Sequence, residues 1–146
     1  MRRPEEQLQR ALVAHLRARL PKPWLVWATP NGGGRSKAEA GILKAMGVLA
    51  GVPDLFVMGP GLNHPAYREA GEGMLTPRLI AIELKAPPKP LKRGGVSQAR
   101  PRVSDDQRDV IAALGACGVP TLIINNLDEA VRALVQLGVP LKGRAP

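Results

Sequence analysis

Cysteine is almost missing from this chain of 146 residues, and so are aromatic side chains. The single thiol, Cys117, excludes an internal disulfide framework and any zinc site built from several cysteines. Phe, Trp and Tyr make up only 3% of the residues. That scarcity argues against a base-stacking platform for single strands. No apolar run approaches the ~20 residues that a membrane-spanning helix needs. Arg2 and Arg3 are followed at once by Glu5 and Glu6, with no apolar segment of the secretory-leader kind behind them. A cytoplasmic protein without a membrane partner is expected.

Negative charge is also in short supply. Asp and Glu number 12 against 21 Lys and Arg, a net charge of +9. A small domain this basic points first to a polyanion, DNA or RNA. The length suits one domain over residues 1–146, and no internal repeat or linker divides it.

What is present reads as alternating helices and strands. Leu8, Leu12, Leu16 and Leu20 form an apolar stripe over 5–20, with Pro4 at the entry and Pro21 and Pro23 as the stop. Trp24–Thr29 is strand-like, and Pro30–Gly34 is a loop. Ser36–Glu39 has the spacing of a capping box, opening a helix that Gly47 ends. Asp54–Met58 and Leu79–Lys85 read as strands, joined by a Gly- and Pro-rich connection over 59–78. The stretch 86–103 is basic and Pro-rich with no acid, and is expected to be a mobile loop. Ser104–Gln107 is a second capping box for a helix to Cys117, with Gly118 as its stop. A strand over 120–125, a helix over 127–137 capped by Asn126, and a frayed tail over 139–146 complete the chain. This order predicts an α/β domain, a central mixed sheet with helices on both faces.

The chemistry gathers on two of those strands. Side chains alternate along a strand, so Ile80, Ile82 and Leu84 share the core face while Glu83 and Lys85 share the other. Asp54 stands at the mouth of the apolar run Leu55–Val57, an unusual place for a residue that strands disfavour. If the two strands pair, Asp54 and Glu83 face each other, and two close carboxylates repel unless a cation lies between them. Mg²⁺ prefers oxygen ligands and keeps several waters, so Asp54, Glu83 and the backbone carbonyl of Leu84 make a suitable set. Lys85 would add positive charge beside a reacting phosphate. A solvated Glu–Lys pair on an open strand face would have the same sequence.

These residues, in this order, resemble the VRR-NUC family of the PD-(D/E)xK nuclease superfamily. Glu5-Glu6-Gln7-Leu8-Gln9 resembles its first helix, and Pro30-Asn31-Gly32-Gly33 the loop after its first strand. Gly47–Leu55 resembles its segment ending in Gly-x-Pro-Asp-Leu, Ile82–Lys85 its Glu-x-Lys strand, and Ser104–Gln107 the start of the next helix. The likeness spans about residues 5 to 137 and implies a restriction-endonuclease-like sheet flanked by helices. It implies that Asp54 and Glu83 bind Mg²⁺ (with Mn²⁺ able to substitute) and that Lys85 assists the attacking water or the transition state. It further implies that Glu5, or its neighbour Glu6, holds a metal-bound water or a second metal, and that Gln107 orients a phosphate or a water. Stand-alone, phage-type members act on four-way DNA junctions, so a homodimer cutting branched or duplex DNA in a bacterial or phage-infected cell is expected.

Arg35, Lys37, Lys89, Lys92, Arg93, Arg100 and Arg102 are candidates for contacts to the DNA backbone. His15 and His64 have no partner at ligand spacing, and Trp24 and Trp27 read as core or rim residues rather than base-stacking ones. Two other readings stay open. One is a basic module that binds DNA without cutting it, against which the complete Asp, Glu and Lys set argues. The other is an RNA-directed nuclease on a related fold, which would use a metal-independent His–Tyr–Lys site; the one tyrosine, Tyr67, lies in a loop.

Overall fold

The computed structural model describes residues 3–30, 36–61, 77–88, 91–95 and 101–143. Its elements run α1 (Pro4–Arg19), β1 (Leu25–Ala28), α2 (Lys37–Ala45), β2 (Leu55–Pro60), β3 (Pro77–Leu84), α3 (Asp105–Ala116), β4 (Thr121–Ile124) and α4 (Leu127–Gln136). Helix starts follow from local side-chain chemistry. Ser36 Oγ accepts the Glu39 N–H at 3.2 Å, and the Glu39 carboxylate accepts the Ser36 N–H at 2.9 Å. Ser104 and Gln107 repeat this box at 3.2 and 3.0 Å. Asn126 caps α4 by accepting the Glu129 N–H at 2.8 Å. Each cap satisfies an amide that the helix itself cannot, and removing one typically costs about 1 kcal/mol.

The four strands stand in the order β1-β2-β3-β4. β1, β2 and β3 run antiparallel in sequence, and β4 lies parallel to β3. A parallel neighbour requires a crossover, which α3 supplies. The sheet is therefore mixed, the architecture expected from the sequence. Alternation sorts its side chains. Leu55, Val57, Ile80, Ile82, Leu84 and Ile124 meet Leu12 and Leu16 of α1 and Ala130 and Leu134 of α4 in one core. α3 begins over the opposite face, where Gln107 reaches Glu83. Among the described residues no helix is long and apolar enough to cross a membrane.

Ala81 and Glu83, on the second face of β3, are buried along with Ile80, Ile82 and Leu84. Two expectations are corrected. Strand pairing reaches into the connection assigned to 59–78, with Gly59 opposite Arg78 and Pro60 opposite Pro77. Residues 139–143 do not fray. Val139 is buried in the core, Leu141 packs against it, and the Lys142 N–H donates to the Arg19 carbonyl at 3.0 Å. The reason is apolar: two side chains beyond Gly138 still find core to cover. In the basic stretch, Leu91–Gly95 form an exposed turn closed by two backbone hydrogen bonds. Lys89 and Arg100 lie outside the described residues, as do Arg35, His64, Tyr67 and 144–146.

Candidate active site

Register builds the site. Leu55 pairs with Ile82, so one step further out Asp54 stands opposite Glu83. Pro53, fully buried, fixes the chain as it enters β2. Asp54 is held on two sides. Its carbonyl accepts the Thr29 N–H at 2.8 Å, and its Oδ2 accepts the Leu84 N–H at 2.8 Å. A short acidic side chain is thus locked where β2 opens between its two neighbours.

Glu83 is the one buried charged side chain among the described residues, 2% exposed. Its Oε1 accepts from Lys85 Nζ at 2.9 Å and from Gln107 Nε2. Its Oε2 is buried with no hydrogen-bond partner. Burial raises the Glu83 pKa above the ordinary carboxylate range, Asp54 and Glu5 push the same way, and Lys85 opposes them. Burial likewise raises Asp54, against the Leu84 amide and Lys85 and with Glu5. Both acids are held where burial outweighs the partners that favour their charged forms. That excludes the solvated Glu–Lys pair.

Gln107 ties the site together. Its Oε1 accepts Lys85 Nζ at 3.1 Å and the Ser104 N–H at 3.0 Å, while its Nε2 donates to Glu83. One amide therefore closes the helix cap and also spans the acid and the amine. Glu5 approaches from α1, its Oε1 accepting the Ala86 N–H at 3.0 Å, just beyond Lys85. Glu6 instead pairs with Arg10 at 2.8 Å on the exposed side of the helix. The structure thus brings Asp54, Glu83, Leu84, Lys85, Gln107 and Glu5 together, and Glu6 stays away.

The donor set fits a hard divalent cation. Among the described residues no three His, Cys, Asp or Glu side chains cluster as a metal cage. Two opposed carboxylates remain, one with an unpartnered buried oxygen, and Mg²⁺ is the ion that takes few carboxylates and completes its shell with water. The unmet oxygen is the feature such an ion would satisfy, since buried acceptors are otherwise paired.

The surroundings are open and of mixed charge. A cleft of about 400 Å³ beside Gln107 is lined by Arg102, Arg108 and Asp105. A groove of about 970 Å³ leads away from Asp54 and Gln107 along Lys44, Val48, Asp106, Asp109 and Val110. Lys37, Lys92, Arg93 and Arg102 are all exposed. Sequence reasoning missed two neighbours of the site. Gly51 presses its backbone flush against the first turn of α3, and a Cβ there would overlap the backbone of Asp106 and Gln107. Trp27 stacks on Phe56, with ring centroids 5.6 Å apart. Glycine's place before Pro53-Asp54 was a visible signal for the first; only the strand register could have revealed the second.

No family model matches the chain, and no curated protein does. Its fold is similar to a solved structure described as a VRR_NUC domain protein, with a TM-score of 0.60 and 18% sequence identity. The similarity covers 93% of this chain and 88% of that one.

Proposed function

We propose that the chain is a nuclease of the VRR-NUC family that hydrolyses phosphodiester bonds of DNA with Mg²⁺, or with Mn²⁺ in its place. The observation that carries the proposal is the opposition of Asp54 and Glu83 across paired strands, with Glu83 Oε2 buried and unpartnered and Lys85 on the other oxygen. The fold shared with a VRR_NUC domain protein supports it.

Asp54 and Glu83, with the Leu84 carbonyl, would hold the cation. When bound, it supplies Lewis acidity toward a phosphate oxygen. The remaining work belongs to the chain. Lys85 carries the positive charge that a phosphate gains from as its own negative charge rises. Gln107 keeps the Lys85 amine and the Glu83 carboxylate in fixed relation, so neither must be ordered when DNA arrives. Glu5, anchored on Ala86, adds a third negative charge that raises the site's demand for a cation. Branched DNA, the four-way junction above all, is the proposed substrate. A cytoplasmic homodimer is the proposed form, because two related cuts are served by two sites related by a two-fold axis.

One purified sample tests this. It is incubated with four-way junction, flap, duplex and single-stranded DNA in Mg²⁺, Mn²⁺ or EDTA, beside Lys85→Ala. Cutting is expected with either metal and not in EDTA, and the variant should be slower by roughly 10²- to 10³-fold. Undiminished cutting in EDTA or by Lys85→Ala would overturn the mechanism. Equal cutting of all four DNAs would remove the junction preference alone. Light scattering on the active sample should give twice the 15.6 kDa chain mass.

A further inference from the structure

We infer that Trp27 and Phe56 form a stacking platform for an unpaired nucleobase of the DNA held at the acidic pair, an inference that rests on the nuclease reading above. Phe56 lies two residues beyond Asp54 on β2, so both side chains stand on one face of the sheet. Trp27 is the cross-strand partner of Phe56 in the β1–β2 register. It is therefore the diagonal neighbour of Asp54, a relation that places the two residues roughly 7–8 Å apart. The rings are stacked, 16° from parallel. Trp27 is nevertheless 39% exposed, and Leu25, next along the same face of β1, is exposed as well.

A chain with only four aromatic residues has placed two of them side by side, on the face that carries its acids. Packing explains Trp24, whose indole lies against Gly59 and joins the core. It does not explain Trp27, which supports one ring and leaves much of its own surface to solvent. A large amphipathic ring in that state is suited to a flat apolar partner. Bases inside a duplex have their faces covered by stacked neighbours, so the base that can land here is an unpaired one. Any base has such a face, which makes this contact indifferent to sequence and sensitive to DNA structure. Continuity with the acidic site selects DNA over a protein partner: a strand whose phosphate reaches Asp54 brings an adjacent nucleotide past Trp27. The platform would thus direct the nuclease to flaps, gaps and frayed ends.

The test separates the platform from the chemistry by measuring binding in EDTA. Fluorescence anisotropy follows a labelled oligothymidylate and a labelled, fully paired two-stranded duplex on the wild type, Trp27→Leu and Trp27→Phe. Leucine keeps Phe56 covered but removes the π-face; phenylalanine keeps a ring. Trp27→Leu should bind the oligothymidylate roughly 10-fold more weakly. It should bind the duplex as the wild type does, and Trp27→Phe should recover most of the lost affinity. Wild-type affinity of Trp27→Leu for the oligothymidylate would overturn the proposal. So would equal weakening on both DNAs, or a halved light-scattering mass, which would make Trp27 a subunit contact. Failure of the cleavage assay would sink the nuclease reading and leave these binding differences standing.

Discussion

A single amide carries two duties at Gln107, and substitution can pull them apart. Its Oε1 serves the α3 cap and Lys85, while its Nε2 serves Glu83. Gln107→Glu keeps the capping box, because a glutamate closes it equally well. It replaces the donor to Glu83 with a repelling oxygen. Hydrogen bonds to charged groups contribute about 1.5–3 kcal/mol, so cleavage should fall by roughly 10- to 100-fold while circular dichroism keeps its helical signal. Gln107→Ala should lose activity and also some thermal stability, through the cap. Equal activity of the glutamate variant and the wild type would reduce Gln107 to a cap. Asp54→Asn gives the complementary result. Asp54 and Glu83 oppose each other with raised pKa values, so at neutral pH their charged forms work against the fold. Without metal the variant should therefore melt a few degrees higher than the wild type, at about 2–4 °C per kcal/mol for a domain of this size. Mg²⁺ should raise the melting temperature of the wild type and leave that of Asp54→Asn almost unchanged, as differential scanning fluorimetry would show.

Helix α3 reaches the site because a glycine lets it. Gly51 has φ +80°, a conformation that side chains disfavour, and its α-carbon abuts the backbone of Asp106 and Gln107. Three residues later comes Asp54. The segment that presents one of the two opposed acids is therefore pressed onto the turn that carries the bridge to the other. Gly51→Ala must push this first turn outward and loosen Gln107 from Glu83 and Lys85. We expect a loss of cleavage in the variant, and almost no additional loss when Gln107→Ala is already present. Two independent structural lesions would instead add. A double-mutant cycle on turnover reads the difference. The element starts were legible in the sequence because each rests on local chemistry: Ser36 with Glu39, Ser104 with Gln107, and Asn126 alone. The depth of Glu83 was not. Whether it is solvated or buried depends on where the crossover helix lands, which is tertiary information. The fate of Val139 was hidden for the same reason, since an apolar residue after a helix stop looks alike in a tail and in a core.

At the scale of the molecule, the mixed sheet was legible from element order, and the opposition of Asp54 to Glu83 was conditional on a pairing that only the register supplies. The charge of +9 was plain from composition, yet composition cannot say where the proposed DNA substrate would touch. The fold divides the possibilities. α4 packs on the core face of the sheet, opposite the face that carries Glu83, while Arg102 lines the cleft beside Gln107. Arg132 lies on α4, with its guanidinium on the Asp128 carbonyl. Either arginine changed to alanine lowers the net charge by the same amount. If attraction were a property of net charge, both variants would lose affinity alike. If phosphates are contacted at the cleft, only Arg102→Ala removes a released counterion. On duplex DNA its slope of log affinity against log salt should then become shallower by about 0.9, while Arg132→Ala keeps the wild-type slope. Binding measured in EDTA between 50 and 200 mM salt decides this: the affinity that Arg102→Ala loses over that range should be smaller than the wild type's by roughly three- to four-fold. Matching slopes for the two variants would place the DNA elsewhere on the surface.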